Sequence, residues 1–322
     1  MGDKMKVSVL GCGRWGTFIA WYLDHIGHEV MLYGRESSWH MKRLTETRAN
    51  DYLVLTDTVR LTTDLNEALT AETIVVSVGA QSFRSLCRQL CSMGMKRKTL
   101  VLCMKGLEIG TGRRLSEVAA EELDSSVRVA VWLGPGHVQD FIRGIPNCMV
   151  IDSENEEVKR QLVEQLSGGL IRFYLGGDII GNEIGAAAKN VIGIAAGMLD
   201  GLGLTSLKGA LMARGAHEIA GLIGALGGSE ISAYGLCHLG DYEATVFSPH
   251  SHNRRYGEAF VSGTPFNELA EGCYTAKAIT ELGSSVGVEL PICRAVYHCL
   301  YEQGDVRESI AGLFQRQTKP EF

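Results

Sequence analysis

The sequence has no CxxC pair, no long apolar run and no block of like charge, and only six of its 322 residues are proline. Each absence removes a class of protein. Nine cysteines (Cys12, Cys87, Cys91, Cys103, Cys148, Cys237, Cys273, Cys293, Cys299) are scattered and odd in number. That fits neither a disulfide framework nor the paired ligands of a zinc site, so no metal is expected. The cysteines read as thiols of a reducing compartment. The most hydrophobic stretch, Val191 to Leu199, is far too short to cross a bilayer. The opening MGDKMKVSVLG runs straight into a strand-like segment, without the apolar core and cleavage site of a signal peptide. The expectation is therefore a cytoplasmic protein with no membrane partner. With 31 basic and 37 acidic residues interspersed, for a net charge of −6, nothing favours a nucleic acid or an anionic lipid surface. A small-molecule partner remains.

A chain of this length predicts two domains with a cleft between them. In the first half, short β-branched runs alternate with segments of helix length: KVSVLG (6–11), EVMLY (29–33), ETIVVSV (72–78), TLVLCM (99–104), VRVAVWL (127–133) and, less clearly, CMVID and IRFYL. Runs apolar on both faces are what a buried parallel sheet needs. From about Gly181 the texture becomes helical, over 182–200, 206–226, 271–286 and 290–303, with hardly any strand signal. The boundary falls near Asp178, which gives an α/β unit over 1–178 and an all-α unit over 179–322.

Gly11-Cys12-Gly13-Arg14-Trp15-Gly16 is a GxGxxG that directly follows the first strand and opens the first helix. In that setting the glycines serve a tight turn, a close backbone approach to a pyrophosphate and helix-on-strand packing, with the helix N-terminus facing the anion. A bare glycine motif in a chain of 39 glycines is weak; its place between strand and helix makes it a Rossmann-type dinucleotide site. The second strand ends Tyr33-Gly34-Arg35, without the acid that binds a ribose 2′-hydroxyl, and Arg35 suits a 2′-phosphate. NADP(H) is therefore preferred, with NAD(H) open through Glu36. A solvated loop charge is the plain alternative for Arg35.

In the helical half, Asn182, Gly185, Ala186, Lys189, Gly193 and Ala196 share one face of a helix buried nearly all round. A lysine rising from a stripe so small leaves room for a ligand, and loss of water weakens its hold on the proton. Such an amine suits hydride chemistry, where a carbonyl oxygen turns negative and then takes a proton. A structural lysine snorkelling out of the core explains the same pattern. Lys105 and Gly134-Pro135-Gly136-His137 follow strands at the sheet edge where ligands collect, although both also suit plain loops. Ser248 to Arg255 packs donors for an oxyanion or phosphate, whereas His250 and His252 lack a nearby third metal ligand.

Together the motifs resemble the glycerol-3-phosphate dehydrogenase family over essentially the whole chain. They are the GCGRWG turn, Met104-Lys105-Gly106-Leu107-Glu108, Gly134-Pro135, Ala188-Lys189-Asn190-Val191, Ala195 to Gly203, Leu239-Gly240-Asp241, Asn253-Arg254-Arg255-Tyr256-Gly257 and Glu271-Gly272. The resemblance implies interconversion of dihydroxyacetone phosphate and sn-glycerol 3-phosphate with NAD(P)H, in support of phospholipid precursor synthesis. It implies Lys189 as proton donor and acceptor, with Lys105 and Asp241 holding the substrate and tuning that lysine. Gly134, Gly136, Ser251, His252 and Asn253 fall at the family's substrate-contact positions, and Arg14, Trp15, Arg35, Lys105, Val138 and Glu271 at its nucleotide-contact positions. A Rossmann domain joined to an all-helical domain, in a homodimer, is implied likewise.

Some positions depart from the family pattern. Gly136 stands where a serine is usual, and His252 replaces an arginine, which exchanges a guanidinium fork for a weaker, pH-dependent donor. Val78-Gly79 stands where a proline is usual, and Arg254 is a candidate substitute for the lost guanidinium. These changes leave open a related dehydrogenase acting on a different phosphorylated or phosphonate ketone. A catalytically silent nucleotide-binding protein is the third reading, against which Lys105, Lys189 and Asp241 argue.

Overall fold

The computed structural model describes residues 4–318, 320 and 321. The chain folds into two compact units, one running through Lys105 and resuming over Arg113–Glu183, the other made of Gly106–Gly112 and the residues from Ile184 onward.

In the first unit, the described residues form eight strands: β1 (Lys6–Leu10), β2 (Glu29–Tyr33), β3 (Arg60–Thr62), β4 (Thr73–Val76), β5 (Thr99–Leu102), β6 (Arg128–Leu133), β7 (Asn147–Asp152) and β8 (Ile171–Leu175). They make one sheet in the order β3-β2-β1-β4-β5-β6-β7-β8. The first six are parallel and doubly wound, and the central β4 and β5 are buried along their whole length, as their unbroken apolar sequences require. Helices α1 (Arg14–His25), α2 (Trp39–Thr47), α3 (Leu65–Ala68), α4 (Phe83–Ser92), α5 (Leu115–Glu122), α6 (Val138–Ile142) and α7 (Glu156–Leu166) make the connections. Two features depart from the expected run of parallel strands. Strand β3 is only three residues long and carries no legible apolar pattern. Strand β7 runs antiparallel to β6, with β8 parallel to β7. The link between β6 and β7 holds one five-residue helix, which at about 1.5 Å per residue spans far less than a six-residue strand, so the chain turns back.

The second unit is helical: α8 (Ile179–Gly201), whose first turn belongs to the sheet unit, α9 (Lys208–Ala225), α10 (His252–Ser262), α11 (Glu271–Ser285), α12 (Pro291–Tyr301) and α13 (Val306–Phe314). Residues 181–194 of α8 are buried without a break, as a helix lacking a polar face demands. Its small-residue stripe is not open space. A Cβ on Gly193 would lie 2.6 Å from Thr245, and one on Gly197 would lie 1.9 Å from the Arg254 carbonyl oxygen. A Cβ on Gly257 of α10 would lie 2.1 Å from the Ile194 carbonyl oxygen in return. The glycines let the two backbones touch, and neighbouring chain occupies the room expected for a ligand.

Glu218 of α9 is a further anchor. Its carboxylate accepts the backbone N–H of Ile292 at 2.7 Å and of Cys293 at 2.9 Å, capping α12 just after Pro291. Burial outweighs these bonds and pushes its pKa up from 4.5 to about 7. The folded state therefore binds a proton that the unfolded state releases, and this contribution is complete below pH 4.5 and lost as pH rises through 7. Between pH 4.5 and 7 the native protein is expected to lose about 3 kcal/mol that a Glu218→Gln variant does not lose. Urea titrations of both proteins across that range check it; parallel stability curves sink the assignment.

Candidate active site

In the sheet unit, the turn after β1 gives each glycine of the GxGxxG a distinct job. Gly11 has φ +115°, and a Cβ there would lie 2.1 Å from the Ser77 carbonyl oxygen. A Cβ on Gly16 would lie 1.9 Å from the Gly11 carbonyl oxygen, so this glycine seats α1 against the strand. Gly13, the N-cap of α1, has nothing within 4 Å of where its Cβ would stand. Tight turn, close packing and an open approach to the α1 N-terminus are what a pyrophosphate needs, and the residues present fit a dinucleotide.

Arg14 and Trp15 open α1, and the Arg14 guanidinium lies 5.9 Å from the centre of the Tyr52 ring. Arg35, two residues beyond β2, is exposed and has no ion-pair partner among the described residues. Lys105 lies beyond β5 and donates from Nζ to the Gly134 carbonyl at 2.6 Å, which joins two sequence-expected residues. Gly136 is explained by its neighbour: a Cβ there would lie 2.5 Å from the Phe141 ring, which stacks on Phe18 at 4.9 Å. The ring occupies the space a serine side chain needs. The Val138 side chain packs in the core of the unit.

In the helical unit, Lys189 and Asp241 come together. Nζ of Lys189 is 3.1 Å from Asp241 Oδ2 and donates to Thr245 Oγ1 at 2.7 Å. Thr245 in turn donates to the Asp241 backbone carbonyl at 2.7 Å. The lysine side chain keeps 11% of its exposure and the aspartate 1%. Asp241 ends a 3-10 turn, Leu239–Asp241, and Thr245 lies in a π-helical turn, Glu243–Phe247, a rare form frequent at functional sites. The snorkelling alternative does not describe this lysine, because its amine ends on a buried carboxylate. Asn253 tethers the neighbouring helices, donating to Asn190 Oδ1 at 3.0 Å and accepting the Gly272 N–H at 2.9 Å, next to Glu271 at the start of α11.

The remaining donors of the 248–255 cluster have other partners. The Ser251 hydroxyl caps α10 by accepting the Arg254 N–H. His252 faces Glu268 Oε2 at 2.9 Å with Nε2 and the Leu269 carbonyl at 3.3 Å with Nδ1. Arg254 pairs with Asp200 at 2.6 Å, beside Lys208 at 2.7 Å, so its guanidinium does not stand in for the arginine absent at 252. Although burial pulls the Asp200 carboxyl upward, these two cations hold it below the ordinary range. Thr245, His238 and Tyr242 escaped the sequence reading. A hydroxyl four residues beyond Asp241 was the one available signal for Thr245. A cavity of about 690 Å³ lies among α8, α9, α12 and α13, but none of the expected site residues lines it.

The glycine assignments separate in one experiment. Gly16→Ala is expected to lower the Tm of the cofactor-free protein by the equivalent of about 1–3 kcal/mol, the usual cost of overpacking. Gly13→Val is expected to leave Tm nearly unchanged and to weaken nicotinamide cofactor binding by about tenfold or more, through lost close approach. Thermal unfolding and fluorescence titration decide it; a Gly13→Val protein that binds cofactor normally removes the cradle from that turn.

Comparison with known proteins agrees with this geometry. The family model for the NAD-dependent glycerol-3-phosphate dehydrogenase N-terminus matches residues 6–159, and that for the C-terminus matches 178–311. The chain is 37% identical over 334 residues to the glycerol-3-phosphate dehydrogenase [NAD(P)+] of Prosthecochloris aestuarii, covering 99% of this chain and 100% of the relative. It is 35% identical over 331 residues to that of Pelodictyon phaeoclathratiforme, covering 98% and 99%. The crystal structure of glycerol-3-phosphate dehydrogenase from Coxiella burnetii superposes with a TM-score of 0.91 at 29% identity, over 97% of this chain and 99% of that one. The glycine turn, the two-unit architecture and these full-length matches lead to one conclusion: the chain belongs to the NAD-dependent glycerol-3-phosphate dehydrogenase family.

Proposed function

We propose that this protein interconverts dihydroxyacetone phosphate and sn-glycerol 3-phosphate with NAD(P)H, Lys189 moving the proton. The observation that carries the reading is the buried amine held between Asp241 and Thr245. When bound, the reduced nicotinamide supplies hydride to the ketone carbon. The Lys189 ammonium then gives a proton to the oxygen that has become negative, and in the reverse direction its neutral amine takes the hydroxyl proton. Asp241 compensates the ammonium for the water that burial removes, and Thr245 fixes its direction. Lys105, drawn to the Gly134 carbonyl, and Asn253 are further substrate contacts in this reading.

NADP(H) is the preferred cofactor, on the strength of an exposed Arg35 with no ion-pair partner among the described residues and no acid ending β2. The protein acts as a cytoplasmic homodimer. Gly136 favours a second reading, a related dehydrogenase for another phosphorylated ketone, because Phe141 stands where a serine hydroxyl would bind substrate. Rates with dihydroxyacetone phosphate separate the two: activity no greater than a no-enzyme blank, in pure folded protein, rejects the first.

Lys189→Ala is expected to lower kcat by about 10²- to 10⁴-fold with NADPH affinity nearly intact. It is also expected to lower Tm, because Asp241 loses its counter-charge; adding Asp241→Asn recovers stability without recovering kcat. Steady-state kinetics and thermal unfolding check both arms, and an unchanged kcat removes Lys189 from the mechanism. Arg35→Ala is expected to weaken NADPH by about tenfold or more, the worth of a charge-assisted hydrogen bond, while NADH is nearly unaffected. Equal effects on the two cofactors contradict phosphate pairing.

A further inference from the structure

We propose that His238 and Tyr242 are positioning residues for the Lys189–Asp241 pair, fastening the turn that carries Asp241 to the helical turn beneath Lys189. The proposal rests on the reading of Lys189 as the proton carrier and adds to it how the amine and the carboxylate are kept in register.

Both side chains are wholly buried, and their rings meet edge to face at 4.8 Å. Nδ1 of His238 stands 2.8 Å from the Gly185 carbonyl oxygen, which can only accept, so the ring carries a proton on Nδ1. Burial pushes the His238 pKa down to about 4, and the ring is neutral near neutral pH. Nε2 is then an acceptor, and the Tyr242 hydroxyl donates to it at 2.7 Å. By helix geometry the Gly185 carbonyl is also the acceptor for the backbone N–H of Lys189, four residues on. One carbonyl thus serves both the helix that presents the amine and the ring that precedes the carboxylate.

The local sequence is built for this contact. A Cβ on Gly185 would lie 2.9 Å from His238 Cβ, so a glycine there is what lets the imidazole reach the helix. A Cβ on Gly215 of α9 would lie 3.1 Å from the Tyr242 hydroxyl, so a second glycine seats the phenol. Asp241 lies between His238 and Tyr242 in sequence, and the ring pair pins it from both sides. Its backbone carbonyl accepts from Thr245, whose hydroxyl receives Lys189. A shift of His238 is therefore felt at both contacts of the amine. A buried imidazole costs stability unless both nitrogens are satisfied, and here one bond reaches Gly185 on α8 while the other holds Tyr242, the neighbour of Asp241.

The test compares kcat with KM. His238→Ala is expected to lower kcat for dihydroxyacetone phosphate reduction by about 10- to 100-fold, the cost of misplacing a catalytic group by about an ångström, with KM and NADPH affinity changed little. His238→Asn, whose amide N–H can replace Nδ1–H, is expected to restore most of kcat. Tyr242→Phe keeps the ring volume, is expected to lower kcat in the same sense, and carries the test should His238→Ala fail to fold. Lys189→Met is measured alongside. Full activity in Lys189→Met rejects the proton-carrier reading on which the proposal rests. An inactive Lys189→Met beside wild-type kcat in folded His238→Ala or Tyr242→Phe overturns the positioning role alone. So does an Asn variant no better than Ala, which marks the histidine as merely structural.

Discussion

A lysine and an aspartate shut away from water, with nitrogen and oxygen 3.1 Å apart, set the terms for the helical unit. Neither charge is affordable alone in that place. Removing one partner of such a pair typically costs about 3–5 kcal/mol, because the other is left buried without compensation. The surrounding chain is arranged to keep them together. A π-helical turn aims Thr245 at the amine, a 3-10 turn delivers Asp241, and Gly193 and Gly185 of α8 let Thr245 and His238 approach the helix closely. In the proposed reading the same restraints that keep the pair together also hold the proton-carrying amine in position.

The two units divide the chemistry by physical type. The sheet unit offers backbone to a nucleotide, a glycine turn and the N-terminus of α1, with the Lys105 side chain beyond β5. In the proposed reading the helical unit acts through side chains, chiefly the amine of Lys189 held by Asp241 and Thr245. Charges with structural work are paired off. Arg254 and Lys208 converge on Asp200, Glu218 caps α12, and Glu183 holds Arg114 together with the start of α5. Burial raises the Glu183 carboxyl despite those partners. Arg35 differs from them in being exposed without such an ion pair among the described residues, which is why the cofactor reading turns on it.

The departures from the family pattern have local causes. Gly136 accompanies Phe141, whose ring fills the space of a side chain and extends the stack with Phe18. His252 accompanies Glu268 and the Leu269 carbonyl, which hold the segment ahead of α11 against the start of α10. In each case the changed residue and its neighbour fit one another, so the substitution cannot be judged from the single position.

The sequence alone determined what depends on local spacing. The strand-then-glycine-turn order marked the nucleotide fold, because strand, tight turn and helix N-terminus are contiguous in the chain. The helices α8, α9, α11 and α12 and the buried Lys189 were legible for the same reason: one face repeats every three or four residues. Tertiary structure alone decided what depends on distant segments meeting. The reversal of β7 shows only in its pairing with β6, and β3 is a strand only because β2 offers it hydrogen bonds. The stripe of small residues on α8 reads as empty space in sequence, and only the arrival of α10, Thr245 and His238 shows it to be filled. Asp241, Thr245 and His238 lie about fifty residues from the helix they serve, and no periodicity links a side chain to a partner across that separation.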